Sequence, residues 1–211
     1  MVSIRRRVSH PVEPVAVVGG AVLLAGSWVV VAVSGDVPKW EATLFENIND
    51  LPSVLWPIVR VPMQLGSLVG SLVVVAGTAV VKRRPRLVLA TLIASQAAYW
   101  LSKAVKSAVS RARPGAILTD VHVREHANGL GYLSGHTAVA CALGAALGPN
   151  LPVRWQIIVG VIAVTVGFAR IYAGAHLPLD VVGGAGLGLL AGTLTRWILG
   201  LGGEGLPPRE A

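Results

Sequence analysis

The sequence predicts an all-α membrane protein, a polytopic bundle of about six transmembrane helices with one amphipathic helix at the interface. Three observations predict it. Hydrophobic residues make up 54% of the chain and charged residues only 13%, where a soluble domain carries about 25% charged residues. The apolar residues fall in long runs rather than in the narrow stripe of a soluble helix. Short clusters of charge, glycine and proline separate those runs. A chain of 211 residues on this plan reads as one membrane-embedded domain.

The first run, 15–34, follows Arg5, Arg6 and Arg7. It is too long for the apolar core of a signal peptide, and no small-residue cleavage pattern follows, so it reads as a retained span. Segment 40–60 mixes Glu41, Glu46, Asn47, Asn49 and Asp50 with apolar residues and reads as the interfacial helix. The further spans are 63–81, 87–103, 137–147, 156–168 and 181–199. The fourth and fifth spans, 137–147 and 156–168, are short and must extend over neighbouring small and polar residues. Trp40, Trp100, Trp155 and Trp197 fall near span ends, as an aromatic belt requires. Gly184, Gly188 and Gly192 recur every fourth residue, as do Gly66 and Gly70, which predicts close helix packing. The core of the domain is expected over about 86–200, with the first span and interfacial helix at 15–60 and a frayed tail at 202–211. Cys141 is the lone cysteine, so no disulfide or cysteine-based metal site forms within the chain.

The net charge of +8 does not imply nucleic acid as a partner. The cations sit between apolar runs, where membrane topology and anion binding account for them. The run from Lys82 to Arg86 is a cytoplasmic anchor and places both termini in the cytoplasm, with Arg154, Arg196 and Arg209 on the same side. The membrane partners are lipids, and nothing in the sequence calls for an obligate protein partner.

Three polar clusters interrupt the apolar pattern, and the six-span plan brings all three to the outer face. Lys106 and Arg113-Pro114 end the third span, and residues seven apart on one helix face can address a common ligand. Ser134-Gly135-His136 opens the fourth span, where exposed N–H groups and the helix dipole favour an anion. Arg170, His176 and Asp180 lie between the fifth and sixth spans. A carboxylate bordering a membrane core is a functional candidate, and its simplest task is to fix one imidazole tautomer. A salt bridge between Asp180 and Arg170 is the plain alternative.

Lys106-x6-Arg113-Pro114, Ser134-Gly135-His136 and Arg170-x5-His176-x3-Asp180 together resemble the three-part signature of the type-2 phosphatidate phosphatase and vanadium haloperoxidase superfamily. The chain departs from that pattern at Leu133, where the family usually has proline, and at Ala169, where it often has serine. The resemblance implies a bacterial plasma-membrane lipid phosphatase with its site at the extracytoplasmic face. Its substrate would be a phosphorylated lipid such as a polyprenyl diphosphate, phosphatidylglycerophosphate or phosphatidate. The implied roles are His176 as nucleophile, Asp180 as its orienting partner and His136 as general acid and base. Lys106, Arg113, Arg170, Ser134 and Gly135 would hold the phosphate. No metal or cofactor is implied, because the cations are side chains. The loop 115–132, with Asp120, His122, Arg124, Glu125 and His126, reads as a lid or headgroup-selecting loop. A lipid phosphotransferase using an acceptor alcohol and a silent lipid-binding bundle stand as alternatives. The long apolar runs argue against a haloperoxidase.

Overall fold

A computed structural model describes residues 12–202. Arg5, Arg6, Arg7, Arg209 and all but the first residue of the expected tail at 202–211 lie outside the described residues. Within 12–202 the chain is helical and holds no strand. The helices are α1 (Val12–Ser34), α2 (Lys39–Asn49), α3 (Trp56–Met63), α4 (Leu68–Lys82), α5 (Pro85–Val109), α6 (Pro114–Ile117), α7 (Gly135–Leu147), α8 (Val153–Tyr172) and α9 (Pro178–Ile198). Proline marks many of the starts. Pro85, Pro114 and Pro178 occupy first helical positions, where a missing N–H costs nothing. Arg83 and Ser110 end α4 and α5 in the left-handed conformation, with φ of 49° and 53°.

Among the described residues, three helices are long and apolar enough to cross a bilayer: α1, α8 and α9. A fourth crossing is available if the bent pair Ser53–Gly66 and Leu68–Lys82, angled by 69°, counts as one span. The expected span 63–81 is thus a broken one, and its Gly70 serves the break, since a Cβ there would run into the Gln64 carbonyl. The expected interfacial helix 40–60 is likewise two helices, α2 and α3, parted at Pro52 and a 3-10 turn. Of the other expected spans, 87–103 lies within the 25-residue α5. Segment 137–147 lies in α7, whose 13 residues reach only about 20 Å.

The outward surface is what a lipid-facing bundle needs. Val15, Val33, Val80, Val81, Val164 and Ile198 are all more than two-thirds exposed. The four tryptophans expected at span ends are about half exposed: Trp40, Trp100, Trp155 and Trp197. The interior is built on small residues. α9 is the central helix, packed on α7, α1 and α5. Gly184, Gly188 and Gly192 face the α7 backbone, where a Cβ on Gly192 would sit 2.6 Å from the Ala142 carbonyl and from Ala145 Cβ. Gly186 faces α1, with a Cβ only 2.5 Å from Leu24 N. Arg196, expected as a loop cation, is instead buried. Its guanidinium donates to Ala146 O at 3.0 Å, Asn150 Oδ1 at 2.6 Å and Leu201 O at 2.8 Å, satisfying carbonyls at the end of α7 and beyond α9.

Candidate active site

The alternating run of the long helices brings four helix ends to one place. Lys106 and Arg170 lie in the last turns of α5 and α8. Ser134 precedes α7, and Asp180 lies in the first turn of α9. His176 sits in the short α8–α9 connection beside them. The charges of Lys106, Arg113 and Arg170 act on both histidines, and His136 acts on His176. The residues singled out in the sequence thus converge on a single site.

Its centre is a hydrogen-bonded pair. His176 Nδ1 lies 3.3 Å from Asp180 Oδ2, and both side chains are buried. Asp180 Oδ2 also accepts from the Leu177 amide at 3.0 Å. With the carboxylate accepting at Nδ1–H, the lone pair of His176 is on Nε2, which receives Arg113 Nη1 at 3.4 Å. Burial, then the charges of Lys106, Arg170, Arg113 and His136, hold the His176 pKa well below its usual 6.5.

Arg113 does not share a helix face with Lys106, as the spacing of seven suggested. Ser110 stops α5 at Val109, and Arg113 is the residue before α6. It reaches the site from that loop, anchored by donation to Gly129 O, Asn128 O and Ala175 O at 2.9, 3.0 and 2.7 Å. Lys106 Nζ donates to Leu130 O and Gly131 O at 3.0 and 2.9 Å. Arg170 is paired with Glu125 Oε1 at 2.6 Å rather than with Asp180. Segment 125–131 therefore supplies partners to all three cations.

Ser134 stands at the helix-capping position, but its side chain makes no cap bond; its Oγ accepts from Thr137 Oγ1 at 3.0 Å. Its amide donates to Asp180 O at 2.8 Å, tying the start of α7 to the start of α9. Gly135 packs against α5, where a Cβ would lie 3.0 Å from Ser102 Oγ. His136, Lys106 and Arg113 are half-buried and form the accessible edge, whereas His176, Asp180, Ser134 and Arg170 lie beneath.

The loop expected as a lid or headgroup-selecting loop is tied to the helices beside it at His122 and Arg124. Arg124 donates to Asn49 O, Tyr172 O and Leu51 O at 2.7, 2.8 and 2.9 Å, and its guanidinium lies 4.0 Å from the Tyr172 ring centroid. Asn49 Oδ1 accepts from the His122 amide at 2.8 Å. Among the described residues no group of three or more His, Cys, Asp or Glu could hold a metal ion.

Two residues of this neighbourhood were not singled out from the sequence. Arg111 Nη1 donates to Asp180 Oδ1 at 2.9 Å, and Arg111 Nη2 pairs with Glu41 Oε2 at 2.6 Å. Glu41 had read as one polar residue of an interfacial helix; it is fully buried. Its contact partners lie about 70 and 138 positions away, so no local pattern marks it.

A helical membrane protein with a buried histidine–carboxylate pair ringed by cations is the class that fold and site define. Residues 84–201 match the PAP2 superfamily, and the chain belongs to that family. A protein of Bacillus subtilis named phosphatidylglycerophosphatase B is 37% identical over 100 residues, 43% of this chain and 47% of that one, so the match spans about half of that relative. A protein of Bacillus licheniformis named bacitracin transport permease protein BcrC is 33% identical over 160 residues, 72% of this chain and 77% of that one. Among solved structures, LpxE of Aquifex aeolicus is similar at TM-score 0.69 and 26% identity, covering 74% of this chain and 94% of that chain. A transmembrane PAP2-type phosphatidylglycerolphosphate phosphatase of Bacillus subtilis shares the fold at TM-score 0.70 and 23% identity, covering 91% and 99%.

Proposed function

We propose that this chain is a membrane lipid phosphatase that hydrolyses a phosphomonoester or diphosphate of a lipid through a phosphohistidine on His176. The observation that carries the reading is the state of His176, with Nδ1 directed to Asp180 and Nε2 facing Arg113 among three cations. Phosphoryl transfer needs little beyond positioning and neutralisation of the equatorial oxygens, and Lys106, Arg113 and Arg170 offer both. The Ser134 and Gly135 segment completes the cradle at the start of α7.

In the first step the Nε2 lone pair forms a bond to phosphorus as the bond from phosphorus to the leaving oxygen breaks in line. That oxygen takes a proton from His136 and departs as the lipid alcohol or lipid monophosphate. In the second step neutral His136 takes a proton from water, whose oxygen attacks phosphorus and breaks the P–N bond. Inorganic phosphate leaves, and both histidines return to their starting states. No step needs a metal.

The substrate class follows from the setting. A site at the end of a lipid-facing bundle meets phosphates at headgroup level, which suits phosphatidylglycerophosphate, phosphatidate or a polyprenyl diphosphate. The name of one relative favours the first of these. In this reading six spans cross the plasma membrane of a bacterium, with α5 and the α7 region completing the set. The run from Lys82 to Arg86 lies in the cytoplasm with both termini, and the site faces outward.

The test is phosphate release from a panel of those lipids by detergent-purified protein, with EDTA present. Release should persist in EDTA and vanish in folded His176→Ala and His136→Ala variants. Normal turnover by His176→Ala would remove the nucleophile assignment. No release from any lipid by folded wild-type protein would overturn the phosphatase reading.

A further inference from the structure

We infer that Glu41 and Arg111 are positioning residues, a clamp that fixes the plane of the Asp180 carboxylate and thereby aims His176. The inference deepens the phosphatase reading and rests on it for the kinetic part of its test. Glu41 lies outside the segment that matches the family, on a helix far away in sequence.

Asp180 has two oxygens and two tasks. Oδ2 receives His176 Nδ1 and the Leu177 amide, and Oδ1 receives Arg111 Nη1. A carboxylate held only at Oδ2 would be free to turn about its terminal torsion, which is broad and two-fold. Turning would leave the imidazole Nδ1–H without its acceptor at a buried position. The bond to Arg111 removes that freedom.

Arg111 needs an anchor of its own, and Glu41 supplies it. The guanidinium spans both Glu41 oxygens, Nη1 to Oε1 at 3.2 Å and Nη2 to Oε2 at 2.6 Å. Glu41 Oε1 also accepts from the Leu179 amide at 2.8 Å, so the clamp is tied to the first turn of α9 that carries Asp180. Both carboxylates are fully buried and the Arg111 side chain is only 10% exposed, so the geometry is fixed from every side. The clamp also sets Arg111 apart from the other cations. Its charge is committed to two buried carboxylates, whereas Lys106 and Arg113 rest on neutral carbonyls that a phosphate can replace. A lysine cannot substitute, because a single ammonium lacks the planar fork that bridges the two acids.

The experiment uses the purified full chain with short-chain phosphatidate and compares Arg111→Gln, Arg111→Lys and Glu41→Gln with wild type. The expected result is a loss of about 10- to 100-fold in kcat, taken by analogy with removal of an outer partner of a metal-ligating histidine, with KM unchanged. In an Asp180→Asn background, Arg111→Gln should cost nothing further, because the clamp acts through Asp180. A wild-type kcat in Arg111→Gln, or a raised KM with kcat kept, would overturn the inference; the second outcome would make Arg111 a phosphate ligand. So would an additive loss in the Asp180→Asn background. If Arg111→Gln does not fold, Glu41→Gln, which keeps an acceptor for the Leu179 amide, carries the same comparisons. A readout independent of turnover is the 15N spectrum of the His176 ring, expected as a single Nδ1–H tautomer in wild type and a mixture in the clamp variants. An unchanged tautomer in those variants would refute the clamp even if wild type releases no phosphate, so the two readings fail separately.

Discussion

A single methyl group placed between α7 and α9 should cost this protein most of its activity while leaving it folded. In Gly184→Ala the new Cβ would stand 2.5 Å from the Ser134 carbonyl oxygen and 3.2 Å from Thr137 Cβ. Ordinary contact begins at 3.4 Å, so the start of α7 must retreat from α9 by about 0.9 Å. Overpacking of this kind costs about 1–3 kcal/mol of stability. The functional cost is larger, because the displaced residues are Ser134, Gly135 and His136, while His176 and Asp180 stay with α9. A misplacement of about 1 Å between reacting groups costs about 100-fold in rate, and that is the expected fall in kcat. Gly77→Ala is the control. A Cβ there meets nothing within 4 Å, so kcat should not change. Phosphate release gives kcat, and thermal melting in detergent shows that both variants are folded. Full activity in Gly184→Ala would refute the argument that this close approach sets the distance between the two histidines.

Two further predictions concern charge. His176 is held neutral in the folded chain far below its usual pKa of 6.5, so the unfolded chain binds a proton that the folded chain does not. Stability from this group is therefore whole above pH 6.5 and falls below it, by about 1.4 kcal/mol per pH unit until the folded pKa is reached. Melting at pH 7.5 and pH 5.5 should show a smaller drop in His176→Gln than in wild type, and equal drops would refute the assignment. Glu125 holds Arg170 at 2.6 Å with its side chain 26% exposed. Such a part-exposed pair contributes about 1 kcal/mol at most, so Glu125→Gln should lower KM for a lipid phosphate by up to about fivefold with kcat unchanged. A raised KM would mean that Glu125 helps to bind substrate rather than competing with it.

The sequence by itself determined that the chain is helical, that it belongs in a bilayer, and which residues gather at the site. Helical class and membrane setting follow from the length and composition of apolar runs, which are local properties. The gathering of Lys106, Arg113, Ser134, His136, Arg170, His176 and Asp180 was legible because each lies at the end of a run. The last turns of α5 and α8 and the first turns of α7 and α9 carry or border them, so the ends of consecutive helices meet. What the sequence misplaced was also local. Ser110 in a left-handed conformation separates Arg113 from the α5 helix, and propensity gives no sign of it, because serine is not a residue that favours that region. The broken segment at Ser67 looked continuous because its residues are apolar on both sides of the break.

Only the tertiary structure decided how the charges pair. Asp180 faces Arg111 rather than Arg170, and Arg170 faces Glu125. Glu41 is a buried acid in a helix whose composition suggested the membrane surface. Arg196 is a buried capping residue in a position that suggested a cytoplasmic loop. The reason is the same in each case. A charged side chain can be stable in water or against a partner, and its own neighbours in sequence do not say which. That choice is made by residues far along the chain, brought close when glycines on α9 let α1 and α7 pack against its backbone.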